Sequence, residues 1–490
     1  MALFNIKSKN KDKTVNLAGG KAYTVTPKME LASLVLTSFA QEQFYRTQAQ
    51  TFGALTTAMA KCDPVFVAKA GIYARNEYGM RSITHALAAE LAQAASGQGW
   101  SKAFYDKIVK RPDDMLEIAA YFMAQNKGKN LTNAMKKGFA EAFNRFDTYQ
   151  LAKYRGESKA VKMVDLVNLV RPVPTARNAE GLNGLVKDTL RQTETWEAKM
   201  TEVGQKAETE DEKTSLKADA WAELLGSKRL GYFALLRNVR NILEQAPQLT
   251  DAVCEQLTDR KAIKTSLVLP FRFLTAYKQL NGNDANTRKV RAALDTAINL
   301  SCDNVPVLDN TLIAIDNSGS MASPVANSEH LQCSEAGAIF GMILAKSSNA
   351  DVMEFGDTAR FIDYNLNTSV MEFGASFAQN NKVGHGTNFH AIFEKATKRY
   401  ERIVVFSDMQ GWAHSAWGYN DIAKAQAIYE CRTGANPYIY SFDLSGYGSL
   451  QFPEDKVFAL AGFSEKTFDL FKLLEADRQA LVNAIEAVEL

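Results

Sequence analysis

The chain has 490 residues, 46% of them hydrophobic and 23% charged, which is too long for one compact core and ordinary for a globular protein of roughly two to four units. Its formal net charge of +2 conceals a split: from Leu308 onward 13 Lys and Arg face 23 Asp and Glu, giving −10, while residues 1–307 carry 44 against 32, giving +12. The composition excludes extensive disorder, and the split matches a polyanion partner for the first part and a metal or basic partner for the second.

Residues 1–27 form an N-terminal segment without an apolar stretch and cleavage site, and no later window offers about 18 consecutive apolar residues, so neither secretion nor membrane spanning is expected. Residues 28–307 read as successive helices, for example over Phe66–Arg75, His85–Gln93 and Asp114–Ala124, where apolar residues recur at helical spacing. Breaks fall at Cys62-Asp63-Pro64, Arg111-Pro112-Asp113 and Arg171-Pro172-Val173-Pro174. Helix pairs of about 40 residues predict a HEAT-like solenoid with a long curved face. Arg75 and Arg81 sit among apolar and small residues and are expected to tie helices together, and His85 is expected to be a core or capping histidine. The charged stretch Lys199–Ala218, which includes Glu208, reads as solvated.

After Pro306 the texture changes. Within residues 308–490, Thr311–Ile315, Asp351–Phe355, Arg402–Phe406 and Pro437–Ser441 read as strands, and Glu329–Ala345, Asn388–Tyr400, Asp421–Cys431 and Glu465–Ala487 as helices. This alternation predicts a mostly parallel, Rossmann-like α/β sheet, with ligands gathered beyond the carboxyl ends of the strands. Directly after the first strand stands Asp316-Asn317-Ser318-Gly319-Ser320-Met321. Side chains two apart share one side of an extended segment, so Asp316, Ser318 and Ser320 can aim at one point. Hard oxygen donors suit one divalent cation, Mg²⁺ first and Mn²⁺ as an alternative. Two further strand-end loops, Gly384-His385-Gly386-Thr387 and Phe406-Ser407-Asp408, can complete the set; alone, the hexapeptide could equally be a tight turn with an Asx cap. Few carboxylates and no evident base argue for capture of an acidic group or phosphate rather than hydrolysis, and no catalytic role is expected of His385 or His390. No Walker-type loop occurs.

The combination of DNSGSM, an isolated Thr387 and Val404-Val-Phe-Ser-Asp408 resembles the metal-ion-dependent adhesion site of von Willebrand A domains. That resemblance implies Asp316, Ser318 and Ser320 as the first ligand group, Thr387 as the threonine ligand and Asp408 as the distal aspartate; Asn317 should point away from the ion. Upstream, Phe66–Ser82, Ser158–Pro172, Gly231–Arg240 and Leu269–Tyr277, in that order, resemble the TROVE domain of the Ro autoantigen family. Proteins similar to this bind small noncoding RNA on a monomeric ring of helical repeats closed by the A domain, and pass single-stranded 3′ ends of misfolded RNA through it. The family's RNA-contacting helix often ends in a histidine, where this chain has Leu169 or Val170 before Arg171.

Structured RNA is read through phosphate and shape, single strands through a positive groove and stacking. Candidate phosphate contacts are Lys136, Lys137, Lys153, Arg155, Lys159, Lys162 and Arg171, with a second set of Lys228, Arg229, Arg237, Arg240, Lys261, Lys264 and Arg272. The chain thus reads as a cytoplasmic, non-enzymatic ribonucleoprotein scaffold for RNA quality control or degradation, with a nuclease or acidic protein as a further partner at the metal. The competing readings are a metal-dependent adhesion module on a helical scaffold and, behind it, a metal-dependent hydrolase or chelatase-type partner. Cys62, Cys254, Cys302, Cys333 and Cys431 are odd in number, scattered and never at CxxC spacing; they read as reduced, and zinc is not expected.

Overall fold

A computed structural model describes residues 13–19, 21–38, 47–127, 130–190, 196–206, 209–227, 230–266, 268, 271–301, 305–325, 331–411, 422–447, 449–452, 456–461, 471, 475, 477 and 479–490. The chain forms two compact units, one of Met1–Thr51 and Val253–Ala484, the other of Phe52–Ala252 and Ile485–Leu490. Two short strands, β1 (Lys13–Val15) and β2 (Lys21–Thr24), and helix α1 (Pro27–Thr37) open the first.

The second unit is helical: α2 (Gln48–Ala60, which begins in the first unit), α3 (Pro64–Glu77), α4 (Ser82–Glu90), α5 (Ser101–Lys107), α6 (Pro112–Gln125), α7 (Asn133–Phe143), α8 (Thr148–Lys153), α9 (Met163–Val170), α10 (Ala179–Val186), α11 (Trp196–Lys206), α12 (Glu210–Gly226) and α13 (Tyr232–Gln245). The expected breaks become helix boundaries for identifiable reasons. The Asp63 carboxylate accepts from Val65 N with Pro64 at the first helical position, and Arg171 takes a left-handed conformation (φ 52°) that ends α9 ahead of Pro172. Packing is close: a Cβ on Gly138 of α7 would lie 2.5 Å from Tyr105 Cβ and 2.7 Å from Lys102 O of α5. Tyr105, Phe104, Phe139 and Phe143 are fully buried there.

A buried polar knot ties α3, α4 and α6. Asp114 accepts from Arg75 at 2.8 Å, from the backbone N–H groups of Lys110 and Arg111 at 2.9 Å each, and lies 2.9 Å from His85 Nε2. Arg81 pairs with Asp113 at 2.7 Å. Burial alone would raise the Asp114 pKa; the hydrogen bond to His85, the Arg75 charge and the Lys110 N–H outweigh it and hold the carboxyl well below its ordinary range. Arg75 and Arg81 thus join helices, as their setting in the sequence implied, and His85 is a buried histidine partnered by Asp114. Across the charged stretch, α11 and α12 carry the exposed pairs Lys206–Glu202 and Lys213–Glu210; Glu208 lies outside the described residues.

In the first unit, α14 (Thr250–Leu257, beginning in the second unit), α15 (Arg260–Ser266), α16 (Phe271–Lys278) and α17 (Ala285–Ser301) precede a six-stranded sheet. Its elements are β3 (Thr311–Asp316), α18 (Cys333–Ser348), β4 (Asp351–Phe355), β5 (Ala359–Ile362), α19 (Val370–Phe377), α20 (His390–Lys395), β6 (Arg402–Ser407), α21 (Ile422–Thr433), β7 (Tyr438–Asp443), β8 (Ser449–Leu450), β9 (Val457–Ala461) and α22 (Ala480–Glu486, ending in the second unit). The division by element type expected near Pro306 and the division by compactness are different cuts, because α16 and α17 pack on α19, with Lys278 paired to Glu335 at 2.6 Å and Ser369 Oγ donating to Asp295 at 2.9 Å.

Strand order is β5-β4-β3-β6-β7-β9, all neighbours parallel except β4 and β5. Along β3 the pleat sends Leu312 and Ala314 into a core with Phe355, Phe389, Phe393, Val405 and Tyr429. Ile313 and Ile315 meet α18, where a Cβ on Gly341 would stand 2.7 Å from Ile315 Cδ1. The expected strands are all present, and β5, β8 and β9 add to them. The helix expected to run to Tyr400 stops at Lys395; of the helix expected over Glu465–Ala487 the end is present as α22, while residues 465–470, 472–474, 476 and 478 lie outside the described residues, as does Asp421.

The N-terminal segment is part of this unit. Tyr23 and Thr24 of β2 pair antiparallel with Leu450 and Ser449 of β8. Asn16 Nδ2 donates to Gly411 O at 2.7 Å, Leu17 N donates to Gln410 Oε1 at 2.7 Å, and Ser33 Oγ of α1 donates to Asp443 at 3.1 Å. No described helix is long and apolar enough to cross a membrane. Cys333 and Cys431 are free thiols, and Cys302 lies outside the described residues.

Candidate functional site

Parallel strands β3 and β6 end side by side, which brings the loop after Asp316 against the one after Ser407. Asp316 is fully buried, accepting from Ser318 N at 2.8 Å on Oδ1 and from Ser407 Oγ at 2.5 Å on Oδ2. The Ser318 and Ser320 hydroxyls lie 3.4 Å apart, brought together by a 3-10 turn over Gly319–Ala322 rather than by the extended segment expected from the alternation. The third loop is tied to them by Gly319 N, which donates to His385 O at 2.8 Å, and Thr387, two residues on, is buried. The Asn317 side chain turns elsewhere, donating to Glu354 at 2.8 Å and Phe377 O at 3.1 Å, while Asn381 Nδ2 grips Asn317 O at 2.7 Å. Ser407, Glu354 and Asn381, which shape the loop, were not singled out from sequence. Ser407 alone carried a signal, its position beside Asp408 at a strand end.

Asp408 is buried as well; Oδ1 accepts from Gln410 N at 3.2 Å and Oδ2 has no hydrogen-bond partner. Burial, then the charge of Asp316, raises the Asp408 pKa, with the Ser320 hydroxyl and the Gln410 N–H pulling the other way. Burial also raises that of Asp316, against the hydrogen bonds from Ser407 and Ser318. Neither carboxylate is in an ion pair with a basic side chain among the described residues. An orphaned buried oxygen and two uncompensated carboxylates among hydroxyls fit a hard divalent cation. No group of three or more His, Cys, Asp or Glu gathers for a metal among the described residues, which leaves this hydroxyl-rich set as the candidate.

The basic residues divide by partner. In the helical unit Lys159 pairs with Glu117 at 2.7 Å, Lys162 with Glu157 at 3.6 Å, Arg155 with Glu157 and Asp188, and Arg240 with Glu244 at 3.9 Å. Lys153 lies over the Tyr154 ring. Lys136, Lys137, Arg171 and Arg237 are in no ion pair among the described residues, and all but Lys136 are exposed. Lys261, Lys264 and Arg272 belong to the other unit, and Arg272 lies over the Phe271 ring. Lys228 and Arg229 are outside the described residues.

Comparison with known proteins gives these residues a frame. The TROVE domain matches residues 31–218 and 186–292, together more than half of the chain. Telomerase protein component 1 of Mus musculus is 23% identical over 317 residues, covering 47% of this chain and 12% of that protein. Its Rattus norvegicus counterpart is 22% identical over the same length and shares, so the match spans only about an eighth of these relatives. The crystal structure of the Deinococcus radiodurans RO (RSR) protein superposes with a TM-score of 0.56 at 18% identity, covering 91% of this chain and 99% of that one, a likeness of fold. The chain belongs to the TROVE-domain family, a family of RNA-binding ribonucleoprotein components.

Proposed function

We propose that this protein is an RNA-binding scaffold that holds small noncoding RNA and the single-stranded 3′ ends of misfolded RNA in the cytoplasm, serving RNA quality control or degradation without catalysing a reaction itself. The observation that carries the reading is the TROVE match over residues 31–292, which falls on the part of the chain with charge +12. The exposed cations without ion pairs, Lys137, Arg171 and Arg237, support it, since a phosphate can take them without breaking an existing pair. The exposed pairs of Lys159 and Lys162 are each worth at most about 1 kcal/mol and do not bar exchange for phosphate.

The α/β unit resembles a von Willebrand A domain in its metal loops, and Asp316, Ser318, Ser320, Thr387 and Asp408 would hold one Mg²⁺ or Mn²⁺ there. The ion supplies an electrophilic position able to take an oxygen of an acidic side chain or phosphate, such as one presented by a nuclease or other acidic partner. The protein's own part is to hold the donors: Ser407 and the Ser318 N–H fix the Asp316 carboxylate, and Asn317 and Asn381 anchor the loop that carries the serines.

The test is binding of the full chain to a structured RNA with a single-stranded 3′ tail and to its blunt-ended form across a salt titration. Preference for the tail, weakening steeply with salt and with charge reversal at Lys159, Lys162 and Arg171, is expected. Binding no tighter than that of an unrelated protein of similar charge overturns the RNA reading and leaves the metal-dependent adhesion module.

A further inference from the structure

In the helical unit the end of α3, the turn after α5 and the start of α8 enclose a cavity of about 320 Å³ whose lining includes Asn76, Lys107, Lys110, Arg145, Phe146 and Gln150. None of its three cations belongs to the basic sets picked out by sequence. Arg145 is held in place: its guanidinium pairs with Asp106 and donates to Asp106 O at 2.7 Å and Val109 O at 3.0 Å. Lys107 Nζ donates to Glu489 O at 3.1 Å, a carbonyl that leaves its charge uncompensated. Neither Lys107 nor Lys110 is in an ion pair among the described residues.

Burial, then the charges of Arg145 and Arg75, lower the Lys110 pKa below its ordinary range, with Glu77 opposing them. Three cations therefore stand beside the cavity, and of these only Arg145 is in an ion pair among the described residues, with Asp106. Asn76 Oδ1 is buried there without a hydrogen-bond partner, and a terminal amide can present either its oxygen or its NH₂ to a ligand. Around the same turn of α8, Thr148 and Tyr149 line a second, more open cavity with Asn183 and Lys187, and Tyr149 is 44% exposed. A cationic hollow lined by Gln150 and an exposed ring on the adjacent residue of the same helix supply the two things single-stranded nucleic acid needs, charge for the backbone and a planar face for the base.

We propose that these two cavities, linked through α8, form a nucleotide site for single-stranded RNA, in which Lys107, Lys110 and Arg145 hold one phosphate and the Tyr149 ring stacks the neighbouring base. This rests on the RNA-binding reading and gives it an address. The phosphate is one within the strand or one at its 5′ end; the chemistry of recognition is the same.

The experiment measures binding of the full chain to a 3′-labelled single-stranded oligouridine, made with and without a 5′-monophosphate, across a salt titration. Lys107→Gln with Lys110→Gln is expected to weaken binding about tenfold and to lower the slope of log affinity against log salt by about 0.7, the loss of one single-strand phosphate contact. Lys107→Arg with Lys110→Arg should keep both. Tyr149→Ala is expected to weaken binding about tenfold with the slope unchanged, the signature of lost stacking. Equal loss on both oligomers assigns the strand backbone, and loss confined to the phosphorylated one assigns the terminal phosphate. If wild type binds RNA while the Gln pair retains both affinity and slope, this site is wrong and the RNA reading stands. If wild type binds neither oligomer nor the tailed RNA, both fall.

Discussion

In the helical unit the buried carboxylate of Asp114 meets Arg75, His85 and two backbone N–H groups, and its pKa is driven down. In the α/β unit the carboxylate of Asp408, buried as deeply, keeps one oxygen without a partner beside a second carboxylate, and its pKa is driven up. Burial is the same in both, so it cannot be what separates them. The difference lies in compensation: the first charge is neutralised by the chain's own groups and joins three helices, whereas the second has no such counterpart among the described residues. A buried acid whose surroundings leave it uncompensated is a better sign of a ligand site than burial or charge alone.

The contrast can be broken most directly by removing each charge in turn. Asp114→Asn should destabilise the protein by about 3–5 kcal/mol in chemical denaturation, because Arg75 is left buried without its counter-charge. Asp408→Asn in metal-free protein should have the opposite sign or no effect, since it relieves repulsion from Asp316; equal destabilisation by both would end the distinction. Metal should act only on the second site. Mg²⁺ or Mn²⁺ at a hundred times its dissociation constant should stabilise the α/β unit by about 2.7 kcal/mol, seen as a raised melting temperature that Asp316→Asn abolishes.

Acid should act on the two sites with opposite sign, adding stability at Asp408, whose pKa is raised, and removing it at Asp114, whose pKa is lowered. The folded-state pKa of Asp114 is depressed, so its contribution is fully present above its unfolded value of 3.8 and is lost as pH falls through the folded one. The stability gap between wild type and Asp114→Asn should therefore be flat from neutral pH down to about that value and narrow below it; a gap already closing near neutrality would contradict the depressed pKa. The smallest effect is expected of Ser407→Ala, which removes one hydrogen bond to Asp316 and should change stability by about 0.5–1.5 kcal/mol while weakening metal affinity, read by titration with Mn²⁺.

Much of this was legible in the sequence where a local rule operates. Pro64, Pro112 and Pro172 mark helix boundaries because proline forbids a backbone donor, and β3, β4, β6 and β7 show as apolar runs because both faces of a central strand are covered. Asp316, Ser318 and Ser320 were legible as a cluster because they stand within five residues at a strand end, although a 3-10 turn rather than an extended segment brings the two hydroxyls together. What escaped depends on distant partners. Strand β5, Ala359–Ile362, is a half-buried edge strand of four residues with a mixed pattern, recognisable only once β4 lies beside it. The cationic cavity escaped for the same reason: Asn76, Lys107 and Arg145 come from separate helix ends, and no spacing rule unites them.

The bond from Ser33 to Asp443 spans 410 residues, and that from Asn16 to Gly411 spans 395, which sets a timetable for the chain. A ribosome adding about 5–20 residues per second needs roughly 20–80 s to make the stretch between Ser33 and Asp443. Throughout that interval α1, whose Leu31, Val35 and Leu36 are fully buried in the finished fold, has no sheet to pack on. The support behind the Asp408 loop is therefore among the last parts to be assembled, and the newborn chain exposes an apolar helix to chaperones and aggregation until then.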